Sequence, residues 1–430
     1  MKTANERENI KNGARVHIEN PKKSRQFFVF LWIVYAVVCM TKNCYNGALA
    51  SIVSEGIMTK TQTGLITAMF YLAYTPLQIV GGVVADRFNP QKMIKIGLIG
   101  ATVANAVIFL NHNYYVMLAA WTFNALIQFG IWPSIFKIVS AQLFEADRKQ
   151  MVFYISFSGT LGGLVLSYLI AAIVPRWELN FLISALLLAI FAVALHFYSK
   201  HLTPYFVPDN STYQSENKKI SKKEKGNTFK ILLASGFFFV LTSNIVSTLV
   251  SQSRTTLTPL MLVENYSSVS ASMANLLNIF MVLAGVAGTI LARKYFSKPG
   301  KEIKSMIITC AVLIPVLILC RFVGKAPVSL MIAIFCSVAV IEAIPAMMRS
   351  YFNINFVRYG ISGTAAGVMN AGSAFSYMLS AYAMSKIADI FGWGFLVKMW
   401  PVMTFISVII LLVSLPVYKK FKNMEKSEEI

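Results

Sequence analysis

Long uninterrupted apolar runs constrain this chain more than any other feature. A helix needs about 20 predominantly apolar residues to cross the hydrocarbon core of a bilayer. Such segments recur twelve times, near residues 27–51, 63–85, 93–111, 114–143, 150–174, 179–199, 229–261, 268–292, 304–323, 327–351, 362–388 and 392–417. The runs are continuous, which excludes the alternating pattern of a transmembrane β-barrel. Length alone suggests two or three soluble domains, but 56% hydrophobic against 13% charged residues rules that out. The expectation is an all-α polytopic membrane protein, with twelve transmembrane helices in two pseudo-symmetric six-helix halves.

Charge sets the predicted orientation. Taking both tails and every even-numbered connection as one side, that side holds 30 of the 39 Lys and Arg residues, and the odd-numbered connections hold five. The positive-inside rule then places both termini in the cytoplasm of a cell with the protein in its cytoplasmic (inner) membrane. The longest polar break, 200–228, carries Lys218, Lys219, Lys222, Lys223 and Lys225. Its composition is that of a linker. The predicted layout is a tail 1–26, a first half 27–199, a basic cytoplasmic linker 200–228, a second half 229–417 and a tail 418–430. The polar N-terminus predicts no cleavable leader, so the first helix directs insertion.

The net charge of +21 does not imply nucleic acid, because the basic residues lie in tails and alternate loops and form no folded basic face. The five cysteines all fall within apolar segments without Cys-x-x-Cys or Cys/His spacing, so neither disulfides nor a metal site is expected. No Walker motif points to ATP. His17, His112, His196 and His201 lie in tails or at segment ends, which leaves no nucleophile–base pair for an intramembrane enzyme. No cofactor is expected.

One short connection is specific. Gly82-Val-Val-Ala-Asp86-Arg87-Phe-Asn89-Pro90-Gln-Lys92 joins the second and third segments. Its glycine permits close helix approach, and its acid can reach the partial positive charge of a neighbouring helix end. Twelve helices, a central loop and Gly82-x-x-x-Asp86-Arg87 resemble the major facilitator superfamily. Asn89-Pro90, Gln128-Phe-Gly130-Ile-Trp132-Pro133, Asp147-Arg148, Pro345, Gly363-Thr-Ala-Ala-Gly367 and Asp389-Ile-Phe-Gly392-Trp393 resemble its organophosphate:phosphate antiporter branch. The resemblance implies alternating access, with Gly82, Asp86 and Arg87 as gating residues. It also marks departures. The branch's helix-1 Arg-Lys-Asn reads Thr41-Lys42-Asn43 here, its helix-7 arginine falls at about Ser251, and its helix-2 lysine is Gln78. Three phosphate-binding cations are thus replaced, and with them the bidentate fork that suits a phosphate.

Ionisable residues inside membrane segments are functional candidates by default. Lys42 lies mid-segment and is read as a contact for substrate or an ion ahead of a structural ion pair, with Asn43 beside it and Tyr45 nearby. Lys137 has two readings, a binding cation or a lysine snorkelling to the membrane surface. Arg254 lies in the polar run Ser251–Thr258 before Pro259, a composition that suits a broken helix lining a cavity. Its position, nearly one turn from Ser251, allows it to replace the lost arginine, the other reading being an outward arginine at the membrane surface. Glu342 is either a carrier of a coupling proton or the partner of a structural ion pair with Arg254 or Arg349. Asn370 completes the predicted substrate-binding set as a hydrogen-bonding group.

These features predict a secondary active transporter for a small organic anion, as a proton symporter or an anion exchanger, embedded in the lipid bilayer and acting as a monomer. The alternative is a transporter-fold membrane sensor of a metabolite.

Overall fold

The computed structural model describes residues 16–147, 150, 151, 154, 155, 158, 159, 161–208, 228–296, 300–356, 359 and 361–426. Among the described residues the predicted apolar runs are helical, and the run 229–261 is divided at Gly236, whose φ of 71° separates Thr228–Ala234 from the longer helix that follows. The first half contains α1 (Pro21–Ser54), α2 (Lys60–Arg87) and α3 (Pro90–Leu110). Helix α4 runs from Tyr114 to Gln128 and resumes over Ile131–Lys137, α5 is described over 161–173, and α6 spans Glu178–Leu202. The second half contains α7 (Phe237–Asn265), α8 (Ala271–Leu291), α9 (Glu302–Leu319) and α10 (Val328–Ile354). Helix α11 starts with Ser362–Leu379 and ends at Gly392, whose φ of 76° breaks the helix, and α12 follows over 393–426. Eight of the described spans are long and apolar enough to cross a membrane on length and composition alone.

The backbone explains why these boundaries fall where they do. Without water in the bilayer core, main-chain groups must be satisfied inside helices or by neighbouring side chains. Asn89 caps α3, its Oδ1 accepting from Gln91 N at 3.0 Å and Lys92 N at 3.2 Å, and Pro90 occupies the first helical position. The Asn-Pro pair of the connection is therefore a helix start. Pro259 within α7 has no N–H to donate, which frees the carbonyl of Thr255 one turn earlier. Asn278 of α8 donates to that carbonyl at 3.3 Å. Single π-type turns interrupt α4 at Ile138–Gln142 and α11 at Ser380–Met384, a geometry often found near functional sites.

The chain forms two compact units, Met1–Ile52 with Met69–Tyr213 and Val53–Ala68 with Gln214–Ile430. Residues Val53–Ala68, which continue into α2, thus group with the second unit. In the first unit a core around Phe27, Leu31, Leu98, Ile135 and Leu188 holds α1, α3, α4 and α6 together. Gly162 and Gly163 let α5 approach α1, because a Cβ on Gly162 would meet the backbone of Ala36. In the second unit Phe237, Met306, Met348, Phe352 and Leu411 form the core, and Gly288 of α8 lies against the backbone of Val340 on α10.

A small β ladder adds to the all-α plan. Strands β1 (Val16–Ile18) and β2 (Phe206–Pro208) pair antiparallel, with Ile18 opposite Phe206. Ile18 and Phe206 are both buried beside Phe27. Their apolar burial explains why two short pieces of predicted tail and linker are held in place.

Candidate functional site

The predicted site residues fall into two constellations, one in each unit. In the first unit, Lys42 is carried mid-helix by α1. Its Nζ donates to the Tyr74 hydroxyl of α2 at 2.8 Å and lies 4.4 Å from that ring's centroid. The lysine is half-buried, and no salt bridge to it is found among the described residues. Tyr74 is held by Phe70, which stacks on it at 5.7 Å and meets Trp121 at 5.4 Å. A fixed phenol ring thus presents the ammonium, and a cation–π contact supplements the hydrogen bond.

Asn43, the next residue, donates to Cys39 O at 2.9 Å and accepts from Asn46 at 3.4 Å, so its amide is oriented before any ligand arrives. Tyr45 points elsewhere. It is 1% exposed, its ring lies 5.4 Å from Trp121 and 6.3 Å from Phe181, and its hydroxyl has no partner among the described residues. Tyr45 is thus buried in an aromatic cluster with Trp121 and Phe181. Lys137 is half-buried where α4 passes into its π turn.

The second unit brings Arg254 and Glu342 together. Arg254 Nη2 and Nε donate to the same carboxylate oxygen, Oε2, at 2.7 and 3.1 Å. Both side chains are deeply buried, with 4% and 8% exposed. Glu342 Oε1 is buried without a hydrogen-bond partner among the described residues. Arg254 Nη1 faces Met281 Sδ at 3.9 Å. One oxygen accepts two hydrogen bonds and the other accepts none among the described residues, so this carboxylate can still receive a donor.

Arg349 is the second arginine that the sequence offers Glu342 as a partner. It lies seven residues beyond it on α10, within electrostatic reach of Glu342, Cys310 and Tyr377, and its signal was that two-turn spacing. On α7, Asn244 donates to Ser373 Oγ at 2.9 Å and Met369 O at 3.2 Å on α11. Asn370, the neighbour of Met369, is exposed. The side chains of Gly82, Asp86 and Arg87 at the end of α2 lie outside the described residues.

A cluster at the start of α2 was missed in part. Asp389 Oδ2 accepts from Thr61 Oγ1 at 2.7 Å and from Thr61 N at 3.3 Å, so α11 supplies a carboxylate to the first turn of α2. There the helix dipole favours it. Glu264 of α7 accepts from Trp393 Nε1 at 2.7 Å and pairs with Lys60 Nζ at 2.8 Å. Lys60 lies 5.1 Å from the Trp393 ring centroid. The sequence flagged Asp389 and Trp393 through their motif, but gave no sign of Lys60 and Glu264.

The model of the Major Facilitator Superfamily matches residues 31–354, about three-quarters of the chain. The chain belongs to the major facilitator superfamily. Among curated proteins it is similar to the membrane sensor protein UhpC of Salmonella typhimurium, 26% identical over 165 residues, 38% of this chain and 37% of that one. It is also similar to a probable hexose phosphate transport protein of Chlamydia trachomatis, 23% identical over 144 residues, 34% of this chain and 32% of that one. The chain thus spans about a third of the length of these curated relatives. Among solved structures it shares the fold of a bacterial homolog to the human lysosomal transporter Spinster, with TM-score 0.73 and 13% identity over 94% of this chain and 98% of that one. Superfamily members with this fold have twelve helices in two halves, the architecture found here.

Proposed function

We propose that this superfamily member is a secondary carrier that moves a small organic anion across a bacterial inner membrane by alternating access. The observation that carries this reading is Lys42, a cation in the middle of a membrane helix whose hydrogen bond goes to a neutral phenol. A buried charge is costly unless it has an opposite charge or a function. A ligand anion supplies the missing charge, and Asn43 beside it supplies a hydrogen-bonding group. The relative named as a probable hexose phosphate transport protein supports an anionic cargo. The replaced cations at Thr41, Gln78 and Ser251 argue for an anion gripped less tightly than by paired arginines. The charge bias toward both tails supports cytoplasmic termini.

Coupling is proposed to run through Glu342, whose bare Oε1 accepts a proton, with Arg254 holding the ionised form. Reconstitution tests the reading. Uptake into proteoliposomes of a panel of organic acids, sugar acids, sulfonates and phosphate esters, chosen by thermal stabilisation, is expected to identify the cargo. Lys42→Ala is expected to abolish that uptake in a folded protein, and unchanged uptake would remove Lys42 from the site.

A second reading is favoured by the relative named as a membrane sensor protein. In it the residues around Lys42 bind a metabolite and the protein reports it to a partner. Ligand stabilisation without any flux in proteoliposomes would select the sensor.

A further inference from the structure

A basic cluster caps a lipid-facing surface where α3 and α6 pack together. Lys95 of α3 lies with its Nζ 3.3 Å from His196 Nδ1 of α6. An ammonium can only donate, so Nδ1 accepts and the ring proton of this exposed histidine sits on Nε2, a further donor. Lys92 and Lys200 are both exposed and within electrostatic reach of Lys95, and Lys200 reaches His196 as well. Among the described residues no carboxylate forms a salt bridge with any of the four. The repulsion between the lysines favours an anion bound from outside the cluster.

The helical register says what that anion is attached to. On α3 the exposed residues Ile96, Ile99 and Val103 continue the strip begun by Lys92 and Lys95. On α6 the exposed residues Ile190, Val193 and Phe197 lead in the same way to Lys200. Both strips follow three- and four-residue spacing and face away from the core. The basic groups therefore end an apolar wall at the Lys- and Arg-rich side of the membrane, the level of phosphodiester headgroups.

We propose that the α3–α6 groove binds an anionic phospholipid, its headgroup phosphate held by Lys95, His196 and Lys200 and its acyl chains lying along Ile96, Ile99, Val193 and Phe197. A free anion uses the same donors but gains nothing from the apolar wall, whereas a lipid engages both. Basic clusters between helices near the cytoplasmic leaflet attract such lipids, with each lysine worth about fivefold in apparent affinity.

The test uses the full chain in phosphatidylcholine nanodiscs, with and without phosphatidylglycerol, read by melting temperature and by native mass spectrometry of retained lipid. Phosphatidylglycerol is expected to raise the melting temperature. Lys200→Gln is expected to weaken apparent lipid affinity about fivefold, and Lys95→Gln with Lys200→Gln about 25-fold. Lys95→Arg with Lys200→Arg should retain it. Lys200 is exposed, so its single variant still reads the site if the double variant fails to fold. Three results overturn the proposal: no response of the wild type to phosphatidylglycerol, an equal response in the glutamine variants, or the same stabilisation by inorganic phosphate in phosphatidylcholine discs.

Discussion

The Arg254–Glu342 pair gives the sharpest test of how the second unit is held and what its carboxylate does. Glu342→Gln keeps shape and volume but removes the negative charge, leaving the Arg254 guanidinium only 4% exposed without a counter-charge. Both of its bonds go to one oxygen, at 2.7 and 3.1 Å, so loss of charge weakens both together. Breaking a buried pair from one side costs about 3–5 kcal/mol, whereas replacing both partners by apolar residues is often neutral or stabilising. Glu342→Gln and Arg254→Met are each expected to lower stability by that amount, a melting-temperature drop on the order of 10 °C. Arg254→Met with Glu342→Leu should recover most of it. Thermal denaturation of the detergent-solubilised variants measures the cycle. In proteoliposomes, Glu342→Gln should stop pH-driven accumulation while exchange of labelled for unlabelled cargo continues, because glutamine mimics the protonated acid. An unchanged melting temperature in Glu342→Gln would refute the buried-charge argument. Loss of exchange along with accumulation would reduce Glu342 to a structural partner.

Three further outcomes are expected. Gly162→Ala should destabilise the first unit by about 1–3 kcal/mol, because its methyl meets the Ala36 backbone, while Gly159→Ala, whose Cβ would find its nearest neighbours at 3.8 and 3.9 Å, should be tolerated. Expression and thermal melting of the pair check this. Asp389→Ala should lower stability by about 1 kcal/mol through loss of the contact with the α2 N-terminus, and Asp389→Asn, which keeps an acceptor oxygen, by less. Arg25 donates to Asp147 at 2.7 Å and holds its carboxyl below the usual aspartate range, chiefly through that hydrogen bond. The pair's contribution is therefore present above the unfolded pKa and lost as pH falls through the folded one. Carbon NMR of labelled aspartate should show a low titration that returns to normal in Arg25→Gln.

The helices were legible in the sequence because a membrane span is a local property. Each run of apolar residues must satisfy its own backbone, so 27–51 or 304–323 announces itself without reference to the rest of the chain. The polar caps beyond the runs were less visible. Asn89-Pro90 became intelligible as a helix start only with the Oδ1 bonds in view. Among the candidate residues, Lys42 and Glu342 stood out by charge alone, since an ionisable group in an apolar run is conspicuous whatever surrounds it. The sequence left Tyr45 beside Lys42, three residues away. Helix α1 turns it into the aromatic core instead.

The partners of those charges were not legible. Glu342 had two candidate arginines, and the nearer one in sequence, Arg349, shares its helix. The bond went to Arg254, 88 positions away on α7. Lys60 and Glu264 meet from α2 and α7, and Ile18 meets Phe206 from two predicted loops. By itself the sequence determined that the chain is built of long apolar helices suited to a bilayer and which residues carry unusual charge, because bilayer solvation acts on each segment independently. Only the tertiary structure decided which charge is neutralised, which is left to a neutral phenol and which polar group mends the break at Pro259. Those outcomes depend on distances between helices that are far apart in the chain, and a low-dielectric interior makes each such distance decisive.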